Sequence, residues 1–310
     1  IPIHAVLREG IAADRITTLY GILNGTCNYI LTEIEEHSSS FETVLAAAQE
    51  AGYAEADPSA DVDGFDARSK LALLSTLAYG EQVKPADIYT EGIRSLTKQD
   101  IEFATKLGYT IRLLGCVKTA NGVRGHKSAI RSRQSAIQVS VYPALVPNSH
   151  VLANVNGVFN AVLVRGDVVG DTLYYGRGAG QDATASAVLS DLADAALDLK
   201  CGTKNRIPPF IPHERDGAVL PMDDVVSRYY VRLTVEDRPG VFAKIAGILA
   251  KAKIGISSII QPEGPGGATV PVILMIHDAP NAAMRRALAQ IAKLGVVKGE
   301  PVMIRVESFE

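Results

Sequence analysis

The chain has 310 residues, 47% of them hydrophobic and 21% charged, so it can build one large domain or two smaller ones around a proper core. A formal net charge of -3 speaks against nucleic acid or an anionic membrane as the main partner. Cys27, Cys116 and Cys201 lie too far apart for a zinc or disulfide framework, and with no membrane-length apolar run or signal peptide they predict a reducing, cytoplasmic setting.

Ile1-Pro2-Ile3 opens without Met and reads as the middle of an element, which predicts a chain cut from something longer; a processed N-terminus is the competing explanation. Residues 16–22 read as a strand, Asn24-Gly25-Thr26 as a turn and N-cap, and 28–36 as a helix. Cys27 reads as a small buried thiol. A Ser-rich break precedes a helix over 41–50, closed by Ala51-Gly52.

The most informative stretch is 52–70, GYAEADPSADVDGFDARSK, which packs Glu55, Asp57, Asp61, Asp63 and Asp66 ahead of Lys70. Phe65, Leu71, Leu73, Leu74 and Leu77 predict a buried helix over 64–79 with Asp63 near its N-cap, and Asp66 and Lys70 form an i,i+4 pair. Two readings stand. One is a solvated acidic loop with a surface salt bridge. The other is a pocket whose carboxylates hold an ammonium group while a lysine moves a proton at a hydroxyl or carbonyl. Spacing alone does not choose.

A further helix is predicted over 98–107, then β-branched strands over 110–119, 136–142, 157–165 and 171–175, with a hairpin at Asn121-Gly122. Residues 176–199 are a glycine-rich turn feeding a long helix; Gly178-Ala179-Gly180 lacks a full dinucleotide fingerprint and reads equally as a packing turn. Pro208, Pro209, Pro212 and Pro221 mark 201–227 as a linker. The last module alternates strand 228–235, helix from 241, strand 254–260, a turn at 264–267, strand 269–276, helix 281–294 and strand 302–306, the βαββαβ order of a ferredoxin-like domain.

GILNGTCNYIL at 21–31 together with GYAEADPSADVDGFDARSKLALL resembles the catalytic region of homoserine dehydrogenases, and VRLTVEDRPGVFAKIAGILAKAKIGI resembles an ACT domain, an amino-acid-sensing module. The resemblance covers essentially the whole chain. It implies an α+β fold: a mixed-sheet catalytic and dimerisation domain over 1–200 (with a remnant of the nucleotide-binding domain at 176–199), a linker over 201–227 and an ACT domain over 228–310. The implied activity interconverts L-homoserine and L-aspartate 4-semialdehyde with NAD or NADP, in threonine, methionine and isoleucine biosynthesis.

The resemblance also assigns roles. Lys70 and Asp66 are catalytic, with Lys70 moving the proton of the substrate oxygen. That chemistry favours a loosely held proton, which Asp66 opposes until substrate or a cation engages the carboxylate. Glu55, on the α-amino group, joins Asp61, Asn24, Gly25, Thr26 and Tyr53 around the substrate. Cys27 stands where Thr is usual, a near-isosteric change. Gly178, Ala179 and Gly180 face the cofactor. Asp237, Pro239, Gly240 and Val241 take an amino-acid effector, with L-threonine the family expectation. A sodium-type cation would use main-chain oxygens, of which only that of Ile1 is present. A homodimer or homotetramer is implied, with strand 255–260 across the dimer. The family's glycine-rich dinucleotide turn does not precede Ile1, so a rival expectation is a non-catalytic, amino-acid-sensing dimer.

Overall fold

The computed structural model describes residues 1–119, 137–203, 213–216, 219–262 and 269–309. A short helix α1 (Ile3–Ala5) runs into one π-helical turn, Val6–Gly10, and is followed by β1 (Ile16–Ile22), α2 (Gly25–His37), α3 (Phe41–Glu50), α4 (Ser59–Val62) and α5 (Phe65–Tyr79). Next come β2 (Glu81–Gln82), β3 (Tyr89–Thr90), α6 (Lys98–Lys106), β4 (Tyr109–Thr119), β5 (Ile137–Pro147), β6 (Phe159–Gly166), β7 (Gly170–Arg177), α7 (Gln181–Cys201) and β8 (His213–Asp216). The chain closes with β9 (Val226–Glu236), α8 (Val241–Lys251), β10 (Ile256–Ile260), β11 (Thr269–Pro280), α9 (Asn281–Ala292) and β12 (Val297–Val306), the βαββαβ order read from the sequence. The hairpin at 121–122, the turn at 264–267 and Pro208, Pro209 and Pro212 lie outside the described residues.

One mixed sheet runs through both parts of the chain in the order β10-β11-β9-β12-β5-β4-β1-β6-β7. Its joint is a two-rung parallel pairing, Arg305 with Ala144 and Val306 with Leu145. Side chains alternate along each strand, so β1 sends Leu19 towards the layer holding Ile30, Leu71 and Val141. Its next residue, Tyr20, faces the opposite layer with Leu114, Tyr142, Leu152 and Phe309. Both faces of β4 and β5 are buried, and they accordingly read as near-continuous apolar runs.

Several elements depart from their sequence reading. β5 extends to Pro147 rather than ending near 142, because Pro143 falls in the gap between β3, which pairs Ser140 and Val141, and β12, which starts at Ala144; a missing N–H is tolerated there. α5 presents only one stripe to the sheet. Leu71 and Leu74 are buried, whereas Leu73 (59% exposed) sits about 200° around the helix from Leu71, and Phe65 (45%) lies open beneath the Arg68 guanidinium. The N-cap of α5 is Gly64, at φ +82°, with Asp63 immediately before it, so the helix starts at Phe65 rather than at 64. The stretch read as a linker is tied down in part, since β8 pairs with β2 and the Leu220 amide donates to the Ile137 carbonyl at 2.8 Å. α7 buries none of its residues and leaves Val188, Leu189, Leu192 and Leu199 exposed. Among the described residues no helix is long and apolar enough to cross a membrane.

Among the described residues, polar ties at three points bind residues of the C-terminal module to the rest. Arg232 meets Asp100 at 2.6 Å, Arg305 meets Glu91 at 2.7 Å, and Glu307 accepts from Lys118 (2.8 Å), Tyr142 (2.7 Å) and Tyr20 (3.1 Å).

Candidate active site

The site starts where β1 ends. Asn24 is extended at φ -120° and caps α2, its Oδ1 accepting from the Cys27 amide at 2.8 Å. That bond fixes the carboxamide, so its Nδ2 must point away from the helix. It donates to Asp61 Oδ1 at 2.6 Å and Asp66 Oδ2 at 2.9 Å. Lys70 Nζ lies 2.8 Å from the same Asp66 oxygen and donates to the Leu23 carbonyl at 3.1 Å. One amide thus links two carboxylates and, through Asp66, an ammonium that is half-exposed.

The five acidic residues of the 52–70 stretch divide by task. Asp61 and Asp66 converge on Asn24. Asp63 is held by Arg94 at 2.5 Å, which stabilises the charged guanidinium. Asp57 accepts the Ser59 amide at 3.1 Å, and hydrogen bonding from Ser59 lowers its carboxyl pKa. Glu55 is exposed on a loop that Gln49 secures by donating to the Glu55 and Ala56 carbonyls. Thr26 ties that loop to the Asn24 turn by donating to the Tyr53 carbonyl at 2.8 Å, and the Tyr53 ring leans on Tyr29.

Gly25 is confined, since a Cβ there would stand 3.1 Å from the Val158 carbonyl oxygen. Cys27 is fully buried and its thiol donates to the Asp61 carbonyl at 3.2 Å. Burial first, then the charges of Asp61, Asp66 and Asp63, push that thiol well up, so it stays protonated and packs as a small neutral group.

The glycine turn after β7 reaches the same region. Gly178 abuts the Asn160 side chain, and Gly180, at φ +112°, is the N-cap of α7 with no side-chain cap. The first amides of α7 therefore lack a capping side chain, an arrangement suited to a polar or anionic ligand. Ile1 lies against the end of β7, beside Gly176, and its carbonyl accepts the Ile3 amide at 2.9 Å. Among the described residues no group of three or more His, Cys, Asp or Glu could hold a metal ion.

A second candidate site lies in the C-terminal module. A cavity of about 370 Å³ is lined by 235–242, Ile245, Gln261 and Val272, and so includes Asp237, Pro239, Gly240 and Val241. Gly240, at φ +87°, starts α8 without a side-chain cap, while Gln261 donates to Asp237 Oδ1 at 3.2 Å. A larger cavity, about 600 Å³, opens between α9, β12 and segment 91–96; Asn24, Asp61, Asp66 and Lys70 do not line it. Sequence reasoning missed Asn160 and the Leu23 carbonyl. Asn160 carried one weak signal, a lone amide within an apolar β run.

A sequence profile for homoserine dehydrogenase matches residues 2–193, and one for the ACT domain matches 229–295. The homoserine dehydrogenase of Neisseria gonorrhoeae is 42% identical over 313 aligned residues, covering all of this chain and 69% of that protein. The crystal structure of a homoserine dehydrogenase from Thiobacillus denitrificans superposes with a TM-score of 0.88 at 42% identity, over 99% of this chain and 68% of that one. A hyperthermophilic archaeal homoserine dehydrogenase mutant in complex with NADPH matches 64% of this chain and 52% of its own, at 28% identity and a TM-score of 0.51. The chain belongs to the homoserine dehydrogenase family, a family of oxidoreductases, and carries a C-terminal ACT domain.

Proposed function

We propose that the Asn24–Asp61–Asp66–Lys70 cluster is the catalytic centre for the interconversion of L-homoserine and L-aspartate 4-semialdehyde with NAD or NADP. The observation that carries this reading is the single carboxamide joining two carboxylates to a lysine at the open end of a sheet. Asp61 and the exposed Glu55 supply acceptors for the substrate ammonium. Asp66 holds Lys70 until substrate arrives, and Lys70 then gives its proton to the forming alkoxide or takes it from the alcohol. Nicotinamide supplies or accepts the hydride when bound. The family membership and the NADPH complex of the archaeal relative support that cofactor, and Gly178, Ala179 and Gly180 fit beside it because the turn leaves its amides uncapped.

In this reading residues 1–200 form the catalytic domain, 201–227 join it to the ACT domain at 228–310, and the enzyme serves threonine, methionine and isoleucine biosynthesis in the cytoplasm. The 370 Å³ cavity takes an amino-acid effector, L-threonine, whose carboxylate suits the α8 N-terminus and whose ammonium suits Asp237. β10, at the sheet edge with Ile259 exposed, pairs two copies. The second reading, a sensing dimer without turnover, draws on that cavity being formed entirely within the ACT domain. Homoserine-dependent NAD(P)H formation, measured beside calorimetric titration with L-threonine, separates the two. Threonine binding without turnover, in this chain and in a form extended N-terminally by a nucleotide-binding half, selects the second.

A further inference from the structure

Asn160 is a carboxamide 8% exposed on β6, and none of the roles above uses it. It sits opposite Gly176 of β7 and beside Ala161, which pairs with Ile22 of β1. Its Nδ2 donates to the Ile22 carbonyl at 3.0 Å. The next carbonyl, that of Leu23, holds Lys70, and the residue after it is Asn24.

The other end of the amide meets two glycines. A Cβ on Gly178 would stand 2.8 Å from Asn160 Cγ and nearer still to Oδ1, and a Cβ on Gly25 would stand 3.6 Å from that oxygen. Gly178 does not have a positive φ, so the close approach of Asn160, rather than backbone conformation, demands glycine there. One buried, uncharged side chain therefore hydrogen-bonds the strand end that leads into the Leu23–Gly25 turn and abuts Gly178 of the 178–180 turn.

We propose that Asn160 is a positioning residue that fixes the spacing between these turns, and with it the distance from the nicotinamide to the substrate carbon; this rests on the catalytic reading given above. The chemistry suits an amide. Aspartate has the same shape but no donor for the Ile22 carbonyl, and it would set a negative charge against that oxygen. Alanine leaves both turns without their spacer. Hydride transfer requires near-contact geometry, so small displacements slow it steeply.

The test compares wild type, Asn160→Ala and Asn160→Asp in homoserine oxidation by the enzyme with its nucleotide-binding half, reading kcat, both KM values, Tm and the primary isotope effect from homoserine deuterated at its alcohol carbon. Asn160→Ala is expected to lower kcat by about 10- to 100-fold and raise the isotope effect, with the KM for homoserine moving less than about threefold. A second readout is independent of turnover: NADPH binding followed by fluorescence. Gly178→Ala is expected to weaken binding, and Asn160→Ala/Gly178→Ala to restore it, because the added methyl then has room. A kcat and isotope effect unchanged by Asn160→Ala, with Tm lowered, would make Asn160 a simple strut and overturn the proposal. Equal binding losses from Gly178→Ala with and without Asn160 would do the same. A wild type that binds NADPH but never turns over homoserine sinks the catalytic reading instead, and the fluorescence pair still decides the spacing claim.

Discussion

Asn24 and Asp66 meet through a 2.9 Å hydrogen bond that ties the N-cap of α2 to the first turn of α5. The same carboxamide does two jobs, and they can be separated. Asn24→Asp keeps a capping oxygen, a role aspartate fills as well as asparagine, but places a third carboxylate against Asp61 and Asp66. Asn24→Ala loses cap and bridge together. Steady-state kinetics and thermal melts should show both variants losing at least tenfold in kcat/KM, with a further ~1 kcal/mol of stability lost through the missing cap in Asn24→Ala.

Glu307 makes stability depend on acid. Burial alone would raise its pKa, but the Lys118 charge and hydrogen bonds from Lys118, Tyr142 and Tyr20 outweigh it and hold the carboxyl below the ordinary glutamate value of 4.5. A lowered folded pKa contributes stability that is complete above about pH 4.5 and is lost as pH falls through the folded value. Glu307→Gln keeps the shape but removes the charge that accepts from Lys118, Tyr142 and Tyr20, so denaturation at neutral pH should show a loss of about 1–3 kcal/mol. That deficit should shrink below pH 4.5.

Gly92 carries the segment between Glu91, which meets Arg305, and Ile93, whose amide donates to the Val62 carbonyl at 2.8 Å. A Cβ there would collide with the Val62 carbonyl and stand 2.5 Å from Asp63 Cα, all backbone that cannot swing aside. Gly92→Ala should cost about 3 kcal/mol and disturb Asp61 nearby. Gly247→Ala is the contrast: it meets open space within α8 and should stabilise by about 0.5–1 kcal/mol. Paired chemical denaturation curves check both.

Local signals carried much of this fold. The helix over 41–50 forms with those bounds, and the βαββαβ module follows its periodicity. Pairing across long sequence distance was not legible: nothing near Arg305 announces a two-rung parallel joint with Ala144, and nothing near Pro143 announces a gap in which proline is harmless. The acidic stretch showed where carboxylates gather but not which ones converge. Asp57 takes up the nearby Ser59 and Asp63 the distant Arg94, and the cap geometry of Asn24 selects Asp61 and Asp66. Asn160 stayed hidden because its meaning depends on two turns it meets only in three dimensions.

The most direct measurement is homoserine oxidation, followed by NAD(P)H absorbance, for wild type and Lys70→Ala in this chain extended by a nucleotide-binding half. Lys70 is half-exposed, so its loss should leave the melting temperature nearly unchanged while turnover falls by two or more orders of magnitude, about 3 kcal/mol in the barrier. Turnover that survives Lys70→Ala intact would remove Lys70 from the proton transfer and contradict the catalytic role given to this cluster.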